Sequence, residues 1–131
     1  MDVRGAAALV IGLDPYRTPG PWDPAPVAAA VERGLRELRE AGIDAQSCAI
    51  GLDGSDDVTA VVRTALTSRA WDCVLVGGGI RTDDDLVEVF EDIVNLVQHH
   101  APDAVICFNA TLHDIPAAVR RALSRADVDP A

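Results

Sequence analysis

The stretch DCVLVGGGIRTDDD, residues 72–85, decides how this chain folds. Its first part, Asp72–Gly77, is a short, uniformly apolar run, as a parallel strand covered on both faces should be. Three glycines follow, then Ile80, Arg81 and a Thr82–Asp85 segment that resembles a helix capping box. Beyond it Leu86, Val89, Phe90, Ile93, Val94 and Val97 fall at helical spacing, which predicts a helix to about His100. A strand passing through a glycine turn into an amphipathic helix is one half of a βαβ unit.

The same pattern recurs on either side. A first strand is expected at Ala7–Leu13, followed by a proline-rich loop and a helix capped by Asp23 with Pro24 at its first position. Val27, Val31, Leu35 and Leu38 mark its buried stripe, and Ala41-Gly42 supplies the terminating glycine. The run IDAQSCAIGL from Ile43 reads as a less apolar strand near a sheet edge. Ser55 is the expected cap of the next helix, with Asp56 and Asp57 at its positive end and Val58, Val61, Val62, Ala65 and Leu66 as its stripe. A fourth strand spans Ala104–Asn109. Asp114 and Pro116 open a last helix carrying Ile115, Val119 and Leu123.

Strands alternating with helices, joined by right-handed crossovers, predict a three-layer α/β/α domain. Its most economical form is a flavodoxin- or Rossmann-like, four-stranded parallel sheet of order 2-1-3-4. Residues 1–123 form this single domain, with 124–131 as a frayed tail. The fourth strand then lies at an open edge, so a homo-oligomer is expected, a homodimer through that edge or through the long third helix.

Composition narrows the function classes. With 49% hydrophobic and 24% charged residues the chain is globular rather than disordered, and no apolar run reaches the roughly 20 residues of a membrane span. The N-terminal MDVRGAAALVIGLDP has no basic leader region, so a cytoplasmic location is expected. The net charge of −10 makes nucleic acid and anionic membranes poor partners. All 11 basic residues are arginine, and without lysine there is no Schiff base, P-loop lysine or Ser-Lys dyad. Cys48, Cys73 and Cys107 stand far apart within apolar runs and read as small buried hydrophobes.

In an open sheet of order 2-1-3-4 a ligand binds at the carboxyl ends of strands 1 and 3, where the order reverses. That edge receives Asp14, the segment Gly77–Arg81, Asn109, Thr111 and His113, with Asp53 further out. Gly77, Gly78 and Gly79 beside Arg81 suit an anion cradle, or else a simple strand-to-helix turn. Asp83, Asp84 and Asp85 would repel a phosphate on the helix axis. No G-x-G-x-x-G is present, and no cofactor is expected. The loop Asp14–Asp23 is long for its place, stiffened by Pro15, Pro19 and Pro21, and it carries Tyr16 and Trp22 as a candidate aromatic lid. Trp22 packing on the first helix is the plainer alternative.

Asp14, Asp53 and Asp83 could together hold Mg²⁺, though turn and cap aspartates are the commoner explanation and no metal is expected. His113 with Asp14 or Asp114 would suit general acid–base work. His99 and His100 belong at a helix C-terminus, where they satisfy carbonyls. No G-x-S-x-G exists, which excludes a serine-hydrolase triad of that kind.

The segments VIGLDP (10–15), WDCVLVGGGIR (71–81) and ICFN (106–109) resemble a group of uncharacterised short bacterial single-domain flavodoxin-like α/β proteins. The likeness covers about residues 7–123 and rests most on D-C-V-x-x-G-x-G-x-R. It implies a single α/β domain and lends no activity and no catalytic residue. The expectation is therefore a small-molecule-binding domain, with an anionic metabolite among the candidates. Gly77, Gly78, Gly79 and Arg81 would hold its polar end, Asn109, Thr111 and Asp14 would orient it, and Tyr16 and Trp22 would cover it. A small cofactor-independent hydrolase or lyase using His113 and Asp14 is one alternative. A protein–protein interaction module acting as a homo-oligomer is the other.

Overall fold

The structure, a computed structural model, describes residues 2–128. Four parallel strands, β1 (Ala7–Leu13), β2 (Asp44–Ile50), β3 (Cys73–Val76) and β4 (Val105–Phe108), form one sheet of order β2-β1-β3-β4. The fold is thus the expected flavodoxin-like α/β arrangement. In register, Ile11 of β1 lies between Cys48 of β2 and Val76 of β3, and Val76 in turn faces Phe108 of β4.

Alternation along β1 divides the core into two layers. Ala8 and Val10 pack with Leu75 and Cys107 under α1 (Pro24–Glu40) and α5 (Ile115–Val128). Leu9 and Ile11 pack with Val74 and Val76 under α2 (Val58–Thr67) and α4 (Val87–His100), joined by Val62, Leu66, Trp71, Ile93 and Val97. Each fully buried aliphatic side chain contributes roughly 1.5–3 kcal/mol by leaving water. The three cysteines are buried and unpaired; burial, aided by the Asp56 charge, pushes the Cys48 thiol up to about 11.

The first crossover follows its sequence signals closely. Asp23 caps α1 by accepting from the Ala25 amide at 3.1 Å, with Pro24 at the first position. Gly42 leaves the helix at φ +86°, a left-handed conformation that side-chain-bearing residues rarely adopt. The stripe differs in its first half. Ala30, Gly34, Leu35 and Leu38 are buried, whereas Val27 and Val31 remain half-exposed.

Two helix starts differ from expectation. Asp57, not Ser55, caps α2, accepting from Ala60 N at 3.1 Å, and Asp56 lies before the helix rather than in its first turn. Asp56 is drawn away by Gly51 N and Arg17. The expected third helix stands as α4 but is entered differently. The glycines themselves form a single helical turn, α3 (Gly78–Arg81), followed by a 3₁₀ turn at Asp84–Leu86 and then α4. Thr82 bonds back to the Gly78 carbonyl at 2.7 Å and Asp83 adopts extended backbone to cap Asp85 N, so local side-chain bonds outcompete the helix there. Of the expected stripe, Ile93 and Val97 are fully buried, while Leu86, Val89, Phe90 and Val94 are partly so.

β3 and β4 each end short of the glycine or asparagine assigned to them, and each begins one residue later. Helix α5 runs to Val128; the expected frayed tail overlaps its last turns and continues into 129–131, which lie outside the described residues. Among the described residues no helix is long and apolar enough to cross a membrane.

Candidate functional site

Everything that distinguishes the carboxyl edge starts where β1 and β3 stop. Gly12 and Gly77 follow Ile11 and Val76, the last residues paired between β1 and β3, so the two strands lack side chains at one level, while β1 stays paired with β2 to Leu13. None of Gly77, Gly78 and Gly79 has positive φ. Gly77 is small because its backbone comes close to β1: a methyl group there would lie 3.2 Å from the Ile11 carbonyl oxygen. A methyl on Gly12 would meet nothing within 4 Å, because it would point into a cavity.

That cavity, about 810 Å³, straddles the sheet edge. Val10 and Leu75 with Val27, Val31 and Ile115 line it on the α1/α5 side, which explains why the first half of the α1 stripe is not covered. Leu13, Leu52, Gly79 and Leu86 continue the wall on the other side. Leu112 and Trp22 stand at its rim, 39% and 46% exposed. The walls are overwhelmingly apolar, and the volume lies within the roughly 300–1,000 Å³ of small-molecule sites.

The loop after β1 is held at its root. Asp14 N donates to the Ile50 carbonyl at 2.8 Å, and Thr18 Oγ1 donates to the Asp14 carbonyl at 2.8 Å. Arg17 binds Asp14 through Nε and Asp56 through an Nη, both at 2.8 Å, and also reaches Ser55 Oγ at 3.1 Å. This clamp joins the loop to the β2–α2 turn, and the Arg17 guanidinium holds the Asp14 carboxyl below the ordinary carboxylate range. Past Thr18 the loop is exposed, and the face of Gly20 rests against the Trp22 ring.

Asn109 fastens the opposite wall. It is 4% exposed; its Oδ1 accepts from Gly78 N at 2.9 Å and its Nδ2 donates to the Thr111 carbonyl at 2.8 Å. Gly77 N is likewise engaged, by the Ile11 carbonyl at 2.8 Å. Two of the three glycine amides thus face protein acceptors. Arg81 donates to the Asn109 carbonyl at 3.0 Å and lies over the Phe108 ring, outside the cavity lining. Asp114 accepts from the Ala110 and Thr111 amides, which outweigh its burial and hold its carboxyl below the usual range.

Of the residues singled out from the sequence, Gly77, Gly78, Gly79, Asn109, Thr111 and Trp22 come together around the cavity. Asp14, Tyr16, Arg81 and His113 do not line it. Tyr16 is 66% exposed. His113 is exposed, its amide donating to Thr111 Oγ1 at 3.2 Å, and the Asp14 oxygens are taken by Arg17 and the Tyr16 amide. Among the described residues no three potential metal ligands gather in one place. Asp53 turns to Ser55 and Asp83 to Asp85 N, as turn and cap aspartates do. Gly12, Leu52 and Leu112 were not singled out from the sequence, and Val27 and Val31 were read only as the buried stripe of α1. A glycine next to the end of an otherwise apolar strand was the available signal for the first of them. The sequence matches no protein-family model, and no curated protein matches it.

Proposed function

We propose that this domain binds a small, mainly apolar molecule in the cavity at the carboxyl ends of β1 and β3. The observation that carries the reading is the open face of Gly12 in an apolar cavity of about 810 Å³ at the switch in strand order. Trp22 and Leu112 flank the entrance, and the Arg17 clamp fixes one end of the loop that bears Trp22. The supporting geometry favours binding over acid–base chemistry, because the Asp14 carboxylate is engaged by Arg17 and His113 lies off the cavity wall.

The test is titration with N-phenyl-1-naphthylamine, an uncharged dye that fluoresces in apolar surroundings. The expected result is saturable binding of one dye per chain, abolished by Gly12→Ile with the circular dichroism spectrum intact. Absence of saturable binding, or binding that ignores Gly12→Ile, overturns the reading.

A second reading, self-association, is favoured by the outer edge of β4. Phe108 is 36% exposed there, with Phe90 of α4 against it at 5.9 Å between ring centroids, and Val87 at the start of α4 is 50% exposed. Two copies meeting antiparallel at this edge would set the acidic start of α4 (Glu88, Glu91, Asp92) opposite its histidine-bearing end (Gln98, His99, His100). Native mass spectrometry of the wild type and of Phe108→Asp tests this. A dimer lost in the variant is expected, and a monomeric wild type overturns it.

A further inference from the structure

Building on the cavity reading, we infer that the ligand carries a neutral or cationic, hydrogen-bond-donating head on an apolar body, and that the site rejects anions. Among the described residues, no arginine or histidine lines the cavity, and the chain has no lysine. The arginines nearest the edge are committed elsewhere: Arg17 to Asp14 and Asp56, Arg81 to the Asn109 carbonyl, Arg121 to the Phe108 carbonyl.

Of the polar side chains that reach the cavity none is cationic, and two hydroxyls offer acceptors alone. The hydroxyl protons of Thr18 and Thr82 already go to the carbonyls of Asp14 and Gly78, so these oxygens face a ligand with lone pairs only. Asp83 is the one charged side chain in the lining; one of its oxygens takes Asp85 N, and its carboxylate can accept further. The Gly78 amide is engaged by Asn109 and the Gly77 amide by the Ile11 carbonyl, so neither is open to an anion. An anionic head would enter a low-dielectric space with a carboxylate at its rim and no cation to pair with, whereas an ammonium or hydroxyl group would meet acceptors.

This inference is tested with three amphiphiles of equal chain length, decylamine, decanol and decanoate, each displacing N-phenyl-1-naphthylamine below its micellar concentration. The amine and the alcohol are expected to displace the dye. The amine should be at least about tenfold stronger than decanoate, the worth of one charge-assisted hydrogen bond. The order should persist at high salt, where the field of the −10 surface is screened, and Asp83→Asn should bring the amine to the level of the alcohol. Asparagine keeps the oxygen that caps Asp85, so the fold is preserved. Decanoate equal to or stronger than decylamine overturns the inference and leaves the cavity reading standing. Wild-type protein that fails to take up the dye, or a dye that no amphiphile displaces, overturns both.

Discussion

The Asn109 side-chain oxygen accepts the Gly78 amide at 2.9 Å, joining the end of β4 to the first turn after β3. The same side chain donates to the Thr111 carbonyl, so one buried amide holds two loops of the candidate site. Asn109→Ala leaves the Gly78 amide and the Thr111 carbonyl without partners and should destabilise by about 1–3 kcal/mol. A lower urea midpoint at unchanged m-value would confirm a purely native-state loss.

The glycine triplet should separate under single substitution. At Gly77 an added methyl presses on the Ile11 carbonyl oxygen at 3.2 Å, and that oxygen belongs to a strand that cannot retreat. At Gly79 it would meet only Leu13 Cδ1 at 3.5 Å, an ordinary contact, within a helical turn. Gly77→Ala should therefore destabilise by about 1–3 kcal/mol. Gly79→Ala should be neutral or stabilising by up to about 1 kcal/mol. Equal thermal shifts for the two would contradict the close-approach explanation.

Trp22 and Trp71 report on different places. Trp71 is buried, its ring nitrogen donating to the Ala65 carbonyl at 3.1 Å, whereas Trp22 is 46% exposed at the cavity rim. In a Trp71→Phe background, ligand binding should shift Trp22 emission to the blue. Trp22→Ala should weaken binding about tenfold through lost aromatic contact while changing the melting temperature little.

Acid should loosen the root of the loop. The Arg17 guanidinium lowers the Asp14 pKa in the folded protein. A lowered folded-state value means the contribution is present above the unfolded value of about 3.9 and is lost as pH falls through the folded one. The pair is open to solvent, so Asp14→Asn should reduce stability by roughly 0.5–1 kcal/mol at neutral pH. That difference should vanish at pH values well below the unfolded carboxylate range. Urea titrations of both proteins at the two extremes decide it.

Strand order and the first crossover could be read from the residues because their signals are local. Asp23, Pro24 and Gly42 each act within one turn of their own backbone. The second cap was misread because Asp56 answers to Arg17, 39 residues away, and no sequence window spans that ion pair. The altered entry to the third helix turns on Thr82 and Asp83, whose side chains compete with the backbone only in the folded geometry. The glycine triplet and Asn109 were placed at the correct edge by topology alone. The cavity was not foreseen, because an empty volume has no residue of its own; it follows from Val27 and Val31 being only partly covered above a strand that has Gly12 as its next-to-last residue.

Gly12 carries a consequence for anyone altering this chain. Its missing side chain contributes nothing to the packing of the domain, and a branched residue there would suit an extended strand better than glycine does. Optimising the sequence for thermal resistance would select that replacement early and plug the crest of the sheet. The hardier protein would keep its shape and lose its hollow.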